Sequence, residues 1–189
     1  MKVFVPMRLT FSTVLTLSRI ALIPFLVRAL MQEAWRNASI LFVIAIVTDV
    51  LDGYLARRWK QETAFGACLD PVADKLLVIS CYATLVFCPI SDLPLPGWFL
   101  FLVLVKETIL LIGAFYFGIM KQVVNIRPSM FGKMAMVVQS SLIAWLLLCS
   151  AFEWAPMKTF HVFLGVAILF VLGSLLQYGY QTFCAARKL

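Results

Sequence analysis

The chain has 189 residues, of which 63% are hydrophobic and only 13% are charged, and its mean hydropathy is +0.98. A soluble domain of this size must present a polar surface to water, so this composition excludes that class and indicates one membrane domain over residues 1–189. The formal net charge of +7 is not accompanied by a basic patch with interleaved aromatic residues, which argues against a nucleic-acid partner.

Apolar segments of membrane-spanning length follow one another along the chain. They predict about six transmembrane helices, at residues 11–31, 38–57, 66–88, 97–120, 130–151 and 157–184. The predicted fold class is therefore all-α and integral to the membrane. We expect a multi-pass chain embedded in the lipid bilayer of the cell (inner) membrane.

Basic residues predict the orientation of these helices. With the N-terminus inside, ten lysines and arginines fall on the inner side of the membrane and only three in the outer loops. This excess favours an N-in/C-in chain, because basic residues accumulate on the cytoplasmic side. The inner set is Lys2, Arg8, Arg57, Arg58, Lys60, Lys121, Arg127, Lys133, Arg187 and Lys188, and the outer set is Arg28, Arg36 and Lys158.

Three further cations, Arg19, Lys75 and Lys106, fall inside predicted helices. A charge within the membrane costs on the order of 3 kcal/mol on insertion scales. We therefore expect these three side chains to face polar groups within the protein and not lipid.

The stretch DVLDGYLARRWKQETAFGACLDPVAD, residues 49–74, holds four aspartates between apolar segments. At about 100° per residue, small and acidic residues share one face on each of two consecutive helices. Both acidic faces lie at the inner ends of their helices, and a short connection makes these helices antiparallel neighbours. The four carboxylates are therefore expected to meet at the cytoplasmic boundary of the membrane. The two faces comprise Asp49, Asp52, Gly53 and Ala56 on one helix and Gly66, Asp70, Ala73 and Asp74 on the other.

Carboxylates that lie close together repel one another unless a cation is bound. Hard oxygen ligands favour Mg²⁺, Mn²⁺ or Ca²⁺, and the four carboxylates can bridge two ions. Such a site stabilises the charge of a phosphoryl group in transit, and Arg57, Arg58 and Lys60 supply cations where a diphosphate needs them. The alternative interpretation of each aspartate pair is a solvated helix end.

The aspartate stretch resembles a known signature. The pattern Asp49-x2-Asp52-Gly53-x2-Ala56-Arg57-x8-Gly66-x3-Asp70-x3-Asp74 is similar to that of the CDP-alcohol phosphotransferases at all eight fixed positions. The segments TLSRIALIPF, LARRW, FGACLDPVADKLL and the GK…Q of Gly132, Lys133 and Gln139 resemble the phosphatidylglycerophosphate synthase and cardiolipin synthase branches of that family.

The resemblance implies a six-helix membrane enzyme, a homodimer with its active site facing the cytoplasm. Such enzymes displace CMP from CDP-diacylglycerol with the hydroxyl of an alcohol, in phospholipid biosynthesis. By this resemblance, Asp49, Asp52, Asp70 and Asp74 bind two Mg²⁺ or Mn²⁺ ions, and Asp70 and Asp74 are catalytic, with Asp74 as the base. The residues implied to contact the CDP-lipid are Thr13, Thr16, Gly53, Ala56, Arg57, Thr63 and Gly66.

The acceptor alcohol is expected to carry a phosphate, which requires fixed cations. The main prediction is glycerol 3-phosphate, and phosphatidylglycerol is the alternative. Lys106, Arg127 and Lys133 are the candidate phosphate ligands. The alternative interpretation of Arg127 and Lys133 is anchoring on the cytoplasmic side, and that of Lys106 is a buried pair with Glu107.

Two other classes of function are compatible with acidic residues in apolar helices. A cation transporter also places aspartates in its helices, but here the acids gather at one membrane face and no pair of broken helices is visible. The second class is an inactive relative that only binds partners, and the complete set of four aspartates argues against it.

Overall fold

The chain forms a set of long helices in the computed structural model. The backbone is described over residues 11–59, 64–88, 93–120 and 130–187, and side chains over residues 16–49, 72–88, 93–111 and 130–179. Every regular element in these ranges is an α-helix. The helices are α1 (Phe11–Met31), α2 (Trp35–Trp59), α3 (Ala64–Phe87), α4 (Gly97–Met120), α5 (Met130–Ala151) and α6 (Met157–Arg187).

The predicted helix bounds agree closely with these elements. The bounds of α1, α4 and α5 are those predicted, and the other three differ by one to three residues at an end. Agreement is good because the breaks are marked by polar or proline-containing segments, such as SDLPLPG before α4. The all-α fold class is confirmed for the described part of the chain.

The chain divides into two compact units, Met1–Thr84 and Leu85–Leu189. The single domain expected over residues 1–189 stays a prediction. In the first unit, α1 packs along α2. Leu26 and Leu30 of α1 and Ala38, Phe42 and Ala45 of α2 are almost fully buried. The spacing of the buried residues on α2 follows one helix face, where the two alanines allow close approach on either side of Phe42.

In the second unit, α6 packs against both α4 and α5. The buried face of α5 recurs every three or four residues, as expected for a helix with one face in the core. It consists of Ala135, Gln139, Leu142, Ile143, Leu146, Leu147 and Cys149. The matching buried residues of α6 are Phe160, Leu164, Ala167, Val171 and Ser174.

Two helices among the described residues are long and apolar enough to cross a membrane: Met130–Ala151, with a mean hydropathy of 1.8, and Met157–Gly179, with 2.3. Their outward faces are apolar too, since Val137, Val162, Leu169 and Leu176 are exposed. The hydroxyls of Ser39 and Ser150 donate to the carbonyl four residues earlier in their own helices, and each bond satisfies a polar group that lipid could not solvate.

Helices α1 and α5 end in the same backbone motif. After α1, Ala34 N–H donates to Ala29 C=O and Glu33 N–H to Leu30 C=O. After α5, Trp154 N–H donates to Cys149 C=O and Glu153 N–H to Ser150 C=O. This is the Schellman arrangement, in which the left-handed position usually holds glycine. Here glutamate holds it, with φ of 55° at both Glu33 and Glu153.

Glycine at these two positions should therefore stabilise the protein. The left-handed conformation costs a non-glycine residue about 1–2 kcal/mol, which glycine would remove. Glycine also makes the unfolded chain more flexible, and this offsets about 0.4–1 kcal/mol of the gain in stability. We expect Glu33→Gly and Glu153→Gly each to raise the thermal midpoint in detergent by about 2 °C. The matched control is Glu→Ala at each position, which removes the carboxylate and retains the Cβ. An equal gain from alanine would show that charge, and not backbone conformation, limits stability there.

Candidate active site

One arginine joins three helices in the first unit. Arg19 of α1 is 1% exposed. Its Nη1 donates a hydrogen bond of 2.7 Å to Asp74 Oδ1 on α3, and its Nη2 lies 2.9 Å from Asp49 Oδ1 on α2. The expectation that Arg19 faces polar groups and not lipid is confirmed. The sequence did not indicate which acids it would meet.

The two acids on Arg19 are the first and last fixed positions of the aspartate signature. One carboxylate from each acidic face therefore lies against the same guanidinium, and the meeting of all four carboxylates stays a prediction. The two side chains differ in access: Asp49 is 40% exposed and Asp74 is 17% exposed. Both carboxylates therefore retain some open surface although their common counter-ion is buried.

The remaining signature positions lie on the same helices. Asp52 follows Asp49 by three residues within α2, and Asp70 precedes Asp74 by four residues within α3, so each is about one helical turn from a described aspartate. The side chains at Asp52, Gly53, Ala56, Arg57, Gly66 and Asp70 lie outside the described side chains.

Of the two α1 threonines implied to contact the CDP-lipid, only one has a described side chain. Thr16 is fully buried and lies one turn before Arg19, on the same face of α1. Thr13 lies within α1, but its side chain is outside the described set. Thr63 and Arg127 lie outside the described residues.

The donor chemistry fits a hard divalent cation. Asp49 and Asp74 bring carboxylate oxygens together from two helices, and two more aspartates stand one turn away on those helices. Oxygen donors of this kind suit Mg²⁺ or Mn²⁺. Among the side chains that the structure describes, no group of three or more His, Cys, Asp or Glu residues is close enough to hold a metal ion.

A second buried polar cluster lies in the other unit. Lys106 of α4 is 1% exposed, and its Nζ lies 2.6 Å from Glu107 Oε1 and donates a 2.8 Å hydrogen bond to Gln139 Oε1 on α5. The interpretation of Lys106 and Glu107 as a buried pair is confirmed. Lys133, in contrast, is exposed near the start of α5.

Gln139 had no role assigned from the sequence beyond its place in the GK…Q segment. Its position carries a signal nonetheless, because it is a polar residue at core spacing within an apolar helix face. In an apolar helix such a side chain is expected to find a polar partner on a neighbouring helix. The partner, Lys106, comes from α4.

Comparison with known proteins adds an independent finding. A sequence model described as CDP-alcohol phosphatidyltransferase matches residues 9–180. A protein of Salmonella choleraesuis named CDP-diacylglycerol–glycerol-3-phosphate 3-phosphatidyltransferase is 35% identical over 184 residues, which covers 91% of this chain and 94% of the relative. The protein of that name from Escherichia coli is 34% identical over the same coverage.

A further protein of the same name, from Pectobacterium atrosepticum, is 55% identical over 75 residues, or 38% of this chain and 41% of the relative. The family match spans most of the chain and includes the aspartates that meet on Arg19. The resemblance seen in the signature is therefore confirmed, and the chain belongs to the CDP-alcohol phosphatidyltransferase family.

Proposed function

We propose that this chain transfers the phosphatidyl group of CDP-diacylglycerol to the hydroxyl of glycerol 3-phosphate, forming phosphatidylglycerophosphate and releasing CMP. The observation that carries the proposal is the convergence of Asp49 and Asp74 on Arg19. The acceptor is inferred from the relatives that align over 91% of the chain, which are named for glycerol 3-phosphate. Those names favour it over phosphatidylglycerol, the acceptor of a cardiolipin synthase.

In the proposed mechanism, Asp49, Asp52, Asp70 and Asp74 would hold two divalent ions. The chemistry that Mg²⁺ or Mn²⁺ supplies at such a site is neutralisation of the diphosphate, which makes CMP a better leaving group. The acceptor oxygen bonds to the phosphorus of the phosphatidyl group, and the phosphorus–oxygen bond to CMP breaks. The hydroxyl proton passes to Asp74, with Asp70 beside it.

Asp74 lies 2.7 Å from the Arg19 guanidinium, and an aspartate must be a carboxylate to act as a general base. Any carboxylate is a weak base, but a base held against the hydroxyl acts at high effective concentration. Thr13, Thr16, Gly53, Ala56, Arg57, Thr63 and Gly66 are proposed to bind the CDP-lipid. Of these, Thr16 is the one whose side chain is described, and it is buried on the Arg19 face of α1.

The proposed acceptor-phosphate ligands are Lys106, Arg127 and Lys133. Lys106 is the most specific of them, because it is a buried cation held by Glu107 and Gln139. A cation fixed by its neighbours loses little side-chain entropy when a phosphate binds. Lys133 is exposed and better placed to attract the substrate than to orient it.

The proposed setting is the cell (inner) membrane, with six spanning helices, both termini inside and the active site on the cytoplasmic face. Two helices with the length and hydropathy of membrane spans support it, as does the excess of basic residues on the predicted inner side. This placement leaves the acyl chains of CDP-diacylglycerol in lipid while the head group reaches the aspartates. We further propose that the enzyme acts as a homodimer.

Removing the proposed base should abolish transfer. We expect Asp74→Asn to lower CMP release by at least about 100-fold, since a positioned base contributes about 10²–10⁴ to the rate. The assay is CMP release by the purified protein with CDP-diacylglycerol, glycerol 3-phosphate and Mg²⁺ or Mn²⁺. Glu153→Gln, the same carboxylate-to-amide change at an exposed site, is the matched control. Retained activity in folded Asp74→Asn would contradict the assigned role.

The choice of acceptor should appear in a direct comparison. We expect CMP release with glycerol 3-phosphate and none with phosphatidylglycerol, and we expect EDTA to stop the reaction. CMP release only with phosphatidylglycerol would indicate a cardiolipin synthase instead, with the same proposed roles for the aspartates. Undiminished release in EDTA would contradict the metal assignment.

A phosphate ligand at Lys106 predicts an effect on one substrate only. Loss of a charged hydrogen bond of about 1.5–3 kcal/mol should raise the KM for glycerol 3-phosphate by roughly 10- to 150-fold in Lys106→Met. The KM for CDP-diacylglycerol should stay unchanged. Lys106→Arg, which keeps the charge, should retain function, and Lys133→Met is the exposed control. An unchanged KM for glycerol 3-phosphate in folded Lys106→Met would restrict Lys106 to its pair with Glu107.

A further inference from the structure

Arg19 is the most buried of the described cations in the first unit, and the proposed mechanism uses only its contact with Asp74. Arg19 is 1% exposed and is carried by α1, whereas the proposed metal ligands are all on α2 and α3. Burying a guanidinium within apolar helices is unfavourable unless its charge is compensated. Its compensation comes from Asp49 and Asp74, two of the proposed metal ligands.

The two contacts differ in quality. Nη1 donates an aligned hydrogen bond to Asp74. Nη2 lies within ion-pair distance of Asp49, yet among the described residues neither Nη2 nor Nε of Arg19 donates a hydrogen bond. A guanidinium selected to orient two carboxylates would use its planar fork for aligned bonds to both. Arg19 therefore contributes positive charge between the acids more than it fixes their orientation.

We propose that Arg19 is the internal counter-cation of the metal site: it holds Asp49 and Asp74 together when no metal is bound. The inference rests on the proposed metal site. Without Arg19, these two carboxylates would repel one another, and so would the two proposed ligands one turn away on the same helices. Arg19 is thus a positioning residue, and it acts through the aspartates without contacting substrate.

The proposed role predicts the direction in which the loss of Arg19 changes metal affinity. Arg19 and a divalent ion are both positive and both interact with the same carboxylates, so each weakens the binding of the other. Because Arg19 and the ion interact with the same carboxylates, their interactions are coupled, and the coupling is reciprocal. Neutralising Arg19 should destabilise the metal-free protein and should also tighten metal binding. An arginine whose task is to orient the ligands would give the opposite change, because loss of an orienting partner weakens metal affinity by about 10–100-fold.

The experiment measures Mn²⁺ binding and thermal stability on the full-length protein in detergent micelles. Mn²⁺ affinity is followed by the electron paramagnetic resonance signal of the free ion, and the thermal midpoint is compared in EDTA and in saturating Mn²⁺. The variants are Arg19→Gln, which removes the charge, and Arg19→Lys, which keeps it. Arg28→Gln is the matched control, since Arg28 is an exposed arginine in the last turn of the same helix.

For Arg19→Gln we expect a lower thermal midpoint in EDTA, a larger stabilisation by Mn²⁺ than in the unaltered protein, and a Kd for Mn²⁺ lowered about tenfold. Arg19→Lys and Arg28→Gln should bind Mn²⁺ like the unaltered protein. An unchanged Kd with an unchanged Mn²⁺ effect on stability would overturn the inference. A weaker Kd would also overturn it, in favour of an orienting role.

Two further outcomes are decisive. If Arg19→Gln is too unstable to purify without metal, we expect it to fold when Mn²⁺ is present and to unfold on addition of EDTA. Failure to fold in both conditions would overturn the inference. Absence of Mn²⁺ binding by the unaltered protein would overturn the proposed metal site, and the inference with it.

Discussion

The pairing of charges inside apolar helices is the constraint on which the described structure depends. Helices with so little polar surface have no water with which to solvate a buried cation, so each one must find acids or amides on a neighbouring helix. Arg19 finds Asp49 and Asp74, and this joins α1 to both acidic helices. Lys106 finds Glu107 beside it and Gln139 across the α4–α5 contact.

The same constraint connects structure with the proposed chemistry. A site that binds two divalent ions needs several carboxylates in one place, and such a group is unstable while the ions are absent. In its proposed role, Arg19 would resolve this conflict, because it is a buried cation on a third helix and cannot diffuse away. Its contacts with Asp49 and Asp74 are of the kind that such a site would need while no ion is bound.

The two polar clusters are built differently, and the difference suits their proposed roles. At Arg19 the acids outnumber the cation, which leaves negative charge for metal ions. At Lys106 the described contacts are with one glutamate and one neutral amide.

Most of the architecture could be predicted from the sequence, and the exceptions are instructive. Helix bounds follow from apolar length, and the acidic face of each helix follows from helical period, and both are local properties. The partners of Arg19 and the role of Gln139 could not be predicted, because each contact joins residues far apart in the chain. The two Schellman caps were also missed, since glutamate stands where the motif usually shows glycine.

The sequence by itself determined the helical class, the places where the helices begin and end, and the family, because composition, periodicity and the eight-residue signature are all written along the chain. Only the tertiary structure decided which buried charges meet. A helix period specifies the face on which a charge lies, but not which neighbouring helix that face will contact. That choice depends on how whole helices pack, and it made Arg19 a counter-ion of the aspartates and Gln139 a partner of Lys106.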